Sequence, residues 1–242
     1  MIWTVTLATW TDQRRVRLGD VDPSGRAWLD AVAGFVQDAA ADHSDHNGYA
    51  GTTWVVRRLV MHCTRLPRHR DVMTVATWCS GVGPRWAERT TTLTVDGVVG
   101  VEAVAVWVHL DPLTGAPAAL PVGFLDVYGS TITNSKVRVR LEHGDPPDTT
   151  HDGAERFAWQ VRRADLDLLG HVNNARYWSA VEEVMAAHLL APEPLMATIE
   201  FRRGLDHEAA TVVHVERPDG GADVWVLDAL GQPAASIRLV PM

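Results

Sequence analysis

The segment "DLDLLGHVNNARY" (Asp165–Tyr177) sets two carboxylates, a Gly-His pair and two adjacent asparagines between a strand-like stretch and an apolar, helix-like stretch. Its relation to the rest of the chain decides the fold. Moved back by 145 residues, "VRRADLDLLGHVNNARY" (Val161–Tyr177) falls on "VRLGDVDPSGRAWLDAV" (Val16–Val32). Val16/Val161, Arg17/Arg162, Asp20/Asp165, Asp22/Asp167 and Gly25/Gly170 coincide, so D-x-D-x-x-G occurs twice. The chain therefore reads as a duplication.

A helical pattern follows each copy. Leu29, Val32, Phe35, Val36 and Ala39 recur at helical spacing within Trp28–His46, and Tyr177, Val181, Val184, Met185 and His188 do so within Asn173–Leu190. Gly48 and Pro192 punctuate the ends. Alternating, β-branched segments come next: "TWVVRRLVMHCTR", "DVMTVATWCSG", "RWAERTTTLTV" and "VVGVEAVAVWVHL", then "MATIEFRR", "ATVVHVER", "ADVWVLDAL" and "AASIRLV". The Asp-Gly of "TVDGVV" predicts a hairpin. Each half thus reads as a strand, one helix and about four antiparallel strands, an α+β arrangement. A single helix cannot cover both faces of a sheet, so the sheet is expected to wrap around it. The expected organisation is residues 1–125, a linker at 126–154 in which "KVRVRL" can form a short strand, and residues 155–242.

Composition narrows the class. The chain has 242 residues, 46% hydrophobic and 21% charged, and no apolar run approaches the roughly 20 residues of a membrane span. No signal-peptide pattern opens it. Two cysteines, Cys63 and Cys79, fit neither a disulfide scaffold nor a thiolate zinc site, and a cytoplasmic location is expected. The histidines form no H-x-x-x-H or H-E-x-x-H pattern, so no metal or other cofactor is expected. A net charge of −8 argues against nucleic-acid binding. The segment from Gly51 to Thr90 is locally basic, with seven arginines against Asp71 and Glu88; it reads either as a solvated rim or as a docking patch centred on Arg65 and Arg68.

"DLDLLGHVNNARYWSAVEE", together with "DVDPSGRAWLDAVAGFVQDAA", "WVVRRLVM", "TWCSGVGPRWAER", "VWVHLDPLTGAPAALP" and "TIEFRR", resembles the acyl-[acyl carrier protein] thioesterases, a double hotdog family. High Arg and Trp usage with a single lysine, Lys136, resembles an actinobacterial branch. The resemblance implies two tandem hotdog domains and hydrolysis of a fatty acyl thioester, on acyl carrier protein or coenzyme A. The first domain would shape the acyl tunnel and the second would carry the chemistry. Asp167 and His171 fall on family catalytic positions. Two family positions differ: an Asn is replaced by Leu169, and a Glu often followed by Cys by Gly204 and Leu205. These departures leave a non-catalytic acyl- or carrier-binding module as the alternative.

A thioester is already activated, so a site needs a base or nucleophile, donors for the oxyanion and a dry channel. Asp167 can orient a water or attack directly. Gly170 permits close backbone approach. His171 can donate to the carbonyl or to Asp167, Asn173 is a natural N-cap, and Asn174 can line the pocket. Asp165 reads as a turn residue, Glu182 and Glu183 as solvated or interfacial, and Glu200 as a possible stand-in for the missing Glu. The first copy has Arg26-Ala27-Trp28-Leu29 where the second has His-Val-Asn-Asn. Asp22 is therefore expected to sit in a degenerate site with Trp28 filling the pocket; the alternative is that Asp22 is an active acidic residue. Either a monomer or a homodimer is compatible with two hotdogs in one chain.

Overall fold

The structure, a computed structural model, describes residues 8–148, 153–188, 190–207 and 209–242. Its first half runs β1 (Thr9–Arg15), α1 (Leu29–His46), β2 (Thr53–Cys63), β3 (Val72–Val82), β4 (Trp86–Val95) and β5 (Val98–Leu110). A short helix, α2 (Phe124–Tyr128), follows. The second half repeats the order as β6 (Ala154–Gln160), α3 (Tyr177–Ala187), β7 (Leu195–Phe201), β8 (Ala209–Glu216), β9 (Ala222–Leu227) and β10 (Pro233–Pro241).

All ten strands form one antiparallel sheet in the order β1-β3-β4-β5-β2-β7-β10-β9-β8-β6. Read from either edge inward, the same sequence of equivalent strands appears. The halves meet at β2 and β7, registered from Arg58 opposite Glu200 to Cys63 opposite Leu195. Side-chain alternation sends Leu59, Met61, Ile199 and Ala197 to the concave face, where they join α1 and α3 in one hydrophobic core. Trp178 and Tyr177 of α3 and Leu29 of α1 are among its largest fully buried side chains. The hairpin between β4 and β5 turns at Asp96 and Gly97, both at positive φ, as a two-residue primed turn requires.

The segment after α2 departs from the sequence reading. "KVRVRL" forms no strand. It is strapped along the convex face instead. The Arg58 guanidinium donates to the Arg138 carbonyl, and the Glu200 carboxylate accepts from the backbone amides of Glu142 and His143 at 2.9–3.0 Å. Glu200 is 1% exposed. This corrects its candidacy as a catalytic stand-in: it alternates with the core residue Ile199 and faces away from the helices, and its oxygens are occupied holding the strap.

Candidate active site

The two D-x-D-x-x-G copies fold into the same loop. Asp20 and Asp165 each end a single 3-10 turn and accept from the amide three residues back, Arg17 and Arg162, at 2.7 Å. Each then receives, on its backbone carbonyl, the amide of Trp28 or Asn173. Gly25 (φ 83°) and Gly170 (φ 80°) take the left-handed turn that brings the loop back. The amides of Asp22 and Asp167 reach the carbonyls of Arg26 and His171, both at 2.8 Å. Asp165 is 3% exposed and gripped by the Arg162 guanidinium. Burial works to raise its carboxyl, and the Arg162 bonds outweigh that and hold it below the ordinary value. Its role is to hold the loop.

The copies differ at the carboxylate that matters. Asp22 is saturated: it accepts from the Ser24 amide and hydroxyl, the Arg26 amide and the Arg26 Nε. The same guanidinium runs on to Glu182 of α3, with Nη1 and Nη2 at 3.1 and 3.0 Å from its two oxygens. Glu182 also accepts the Leu29 amide at 2.8 Å, capping α1, whose own N-cap position holds Trp28 and supplies no cap. The first site is thus filled chiefly by the Arg26–Glu182 pair, with Trp28 stacked beside the guanidinium at 5.5 Å. Replacing Asp22 by Asn is expected to lower the melting temperature and leave thioester turnover at the wild-type rate; a parallel loss of turnover would assign chemistry to the first loop.

Asp167 is half-buried and, among the described residues, takes a single hydrogen bond on its carboxylate, from the Leu169 amide at 2.8 Å. Its second oxygen is left for a ligand. It stands in the wall of a cavity of about 670 Å³ with Leu166, Leu168, Leu169, Asn173 and Asn174. The cavity continues into the first half along Gln37, Ala40, Ala41 and Ser44 of α1, Arg89 of β4, and Phe124 and Tyr128 of α2. Asn173 caps the 3-10 turn leading into α3, its Oδ1 accepting the Ala175 amide at 2.9 Å, and also lines the cavity. Asn174 lines the wall. Gly170 is exposed at the tip.

His171 is not among the cavity-lining side chains. Its ring lies over Gly204, where an added Cβ would come within 2.7 Å of it, and its Nε2 is 3.5 Å from Asp206. A side chain at position 204 and this placement of the imidazole are mutually exclusive. Leu205 contributes its backbone, accepting the Val172 amide at 2.7 Å, and its side chain is core. The exposed leucines 168 and 169 border the opening. Arg65 and Arg68 lie in the turn after β2, which bonds the first loop through Pro67 and His69. Arg68 approaches Glu193 at 3.3 Å, and neither arginine lines the cavity.

Sequence reasoning passed over Gln37 and Arg89. For Gln37 a signal existed: the offset of 145 maps Glu182 onto it, so an amide faces the second loop where a carboxylate fills the first. Glu155, His188 and His214 come together on the opposite side of the second half, with His188 Nε2 and His214 Nδ1 at 2.7 Å. That distance is a direct imidazole–imidazole hydrogen bond, and the pair is satisfied without an ion.

Models of the acyl-ACP thioesterase N-terminal and C-terminal domains match residues 8–128 and 149–221. An uncharacterised protein of Mycobacterium tuberculosis is 26% identical over 212 residues, covering 87% of this chain and 83% of its own. The chloroplastic oleoyl-acyl carrier protein thioesterase of Coriandrum sativum is 25% identical over 243 residues, covering 89% of this chain and 64% of its own length. In fold, the chain superposes on the 12:0-ACP thioesterase of Umbellularia californica with a TM-score of 0.78 and 20% identity, covering 96% of both chains. An acyl-ACP thioesterase of Bacteroides thetaiotaomicron gives 0.76 and 17% identity, covering 96% of this chain and 97% of its own. Two family models spanning most of the sequence, on a duplicated hotdog with a ligand-sized cavity at one of its two loops, make this chain a member of the acyl-ACP thioesterase family.

Proposed function

We propose that the chain hydrolyses a fatty acyl thioester, with acyl carrier protein as the donor, at the second loop. The observation that carries this reading is the asymmetry between two carboxylates at equivalent loop positions: Asp22 accepts from four donors, and Asp167, among the described residues, keeps an oxygen free at a cavity wall. In this reaction Asp167 takes a proton from a water as the water oxygen attacks the thioester carbonyl. The carbonyl oxygen gathers negative charge, for which the side-chain amide of Asn173 in the cavity wall is the candidate donor, with Gly170 allowing close backbone approach. Collapse breaks the carbon–sulfur bond, and the thiolate leaves with a proton, for which His171, on the same loop but outside the cavity lining, is the candidate donor. The first half supplies the channel for the chain. No redox group or metal is needed for these steps.

The basic turn carrying Arg65 and Arg68 is proposed as the docking surface for an acidic carrier, and the buried free thiols of Cys63 and Cys79 fit action in a reducing cytoplasm. Reversing both arginines to Glu is expected to raise KM for the carrier-borne substrate about tenfold and leave coenzyme A thioesters little changed. An equal effect on both substrates would count against a protein-docking role.

The test of hydrolysis itself is release of free thiol from acyl carrier protein and coenzyme A thioesters of graded length, expected well above the spontaneous rate. Tight binding of a non-hydrolysable analogue with no thiol release would leave an acyl-binding module, the reading favoured by the missing acidic side chain at Gly204.

A further inference from the structure

Arg89 projects from β4 into the wall of the same cavity, and no carboxylate lies within ion-pair distance of it among the described residues. Its neighbours are neutral. Nη1 is 2.8 Å from His43 Nδ1 and 3.5 Å from the Thr77 hydroxyl, and the guanidinium carbon stands 5.5 Å from the Tyr128 ring. An arginine is always charged and has no acceptor, so His43 Nδ1 must be the acceptor and the imidazole neutral. A guanidinium has five donors, more than these contacts and a hydrogen bond to Tyr128 take up among the described residues.

An acyl slot for a plain hydrocarbon has no use for such a group. A half-buried cation without a counter-charge is desolvated with nothing in return, and a Leu or Met at position 89 would fill the wall without that cost. Burial lowers the affinity of the guanidinium for its proton, and Tyr128 and Cys79, the groups that act in the opposite sense, are ordinarily neutral themselves. The buried arginine of this half, Arg26, has two carboxylates. Arg89 is the exception, and it is the one that lines the cavity.

We infer that the slot is built for an acyl thioester whose far end carries a carboxylate, which Arg89 receives as a forked pair. This inference names the substrate of the site proposed above and rests on that reading. The geometry sets a scale. Gln37 and Asn174 border a common recess beside the second loop, and His43 lies six residues further along α1, about 9 Å at 1.5 Å per residue. An extended chain advances by about 1.2 Å per bond, so about seven or eight bonds span that distance. A monothioester of a medium-length dicarboxylic acid fits.

The experiment compares octanoyl and 7-carboxyheptanoyl thioesters of the same carrier, with the wild type, Arg89→Met and Arg89→Lys. A site that hydrogen-bonds a polar group discriminates strongly against the analogue lacking it, so the wild type is expected to favour the carboxylated chain by roughly 100-fold or more in kcat/KM. Arg89→Met is expected to reverse the preference, and Arg89→Lys, which keeps charge and loses the fork, to fall between. Binding is read independently by thermal shift of the wild type and Arg89→Met with octanedioate and with octanoate. Octanedioate should raise the wild-type melting temperature more than octanoate does, and lose that advantage in Arg89→Met. Hydrolysis with no preference for the carboxylated chain overturns the inference and leaves the thioesterase reading standing. Octanedioate-selective stabilisation with no turnover of any thioester does the reverse. Should Arg89→Met fail to fold, the wild-type preference and the Arg89→Lys ratio still decide.

Discussion

Asp167→Asn is expected to lower kcat by roughly 10²–10⁴-fold, the range for losing a positioned general base, with KM changed far less. The substitution suits the site because it isolates the chemistry. An Asn Oδ1 accepts the Leu169 amide as the aspartate does at 2.8 Å, so the turn that shapes the loop survives. What goes is the second oxygen as a proton acceptor. The residual rate reports the Asn173 amide, the loop around Gly170 and the channel, which remain. Asp165→Asn is the control: it breaks an ion pair at 2.7 Å with Arg162 two residues away from the reactive oxygen and should cost stability before it costs turnover. Thiol-release kinetics on both variants, with circular dichroism to confirm folding, separate the two carboxylates. Turnover by Asp167→Asn within a few-fold of wild type removes Asp167 from the chemistry.

Local pattern carried much of this molecule into view. The 145-residue offset was legible because the loop bonds that hold Asp20 and Asp165, Gly25 and Gly170 are made within a few residues, and each needs a particular residue type. The Asp96–Gly97 turn was legible for the same reason. What stayed hidden depends on partners far apart in sequence. Nothing near Glu200 announces that its oxygens will be spent on the amides of Glu142 and His143, and "KVRVRL" alternates like a strand yet is held by side chains of β2 and β7 instead of a ladder. Gly204 reads as a gap in a family pattern; in three dimensions it is the floor beneath the His171 ring. Arg89 looks like any other strand arginine until its neighbours are counted, and the cavity it lines is assembled from α1, three strands, α2 and the second loop.

Glu182→Ala is expected to destabilise the fold by about 3–5 kcal/mol, the cost of removing one partner of a buried ion pair. Arg26 and Glu182 have side chains 10% and 9% exposed, and the contact bridges the halves across 156 residues of sequence. Truncation strands Nη2 among the described residues, leaves Nη1 with only the Ala27 carbonyl at 3.2 Å, and takes the cap from the Leu29 amide. Asp22 remains on the Arg26 Nε at 2.9 Å, which keeps the loss toward the lower figure. For a chain of this size each kcal/mol moves the melting temperature by about 2–4 °C, so a fall of at least 6 °C is expected. The pair is shielded from solvent, so the difference should persist in high salt. Acid tests what remains of the network. Burial works to raise the Asp22 carboxyl, but the Ser24 and Arg26 bonds hold it below its ordinary value of 3.8. Its stabilising contribution is therefore complete at neutral pH and fades as pH falls below about 4 and through the folded value. In Glu182→Ala that carboxylate is the last charged partner Arg26 has, beside the Ala27 carbonyl at 3.2 Å, so its titration should show in the variant's stability below pH 4. Joining Glu182→Met to Arg26→Met, which removes the charge along with its partner, is expected to recover most of the loss. A single variant melting within 2 °C of wild type would mean that the halves are held by the β2–β7 seam and the shared core alone, with the ion pair there only to close the first loop to substrate.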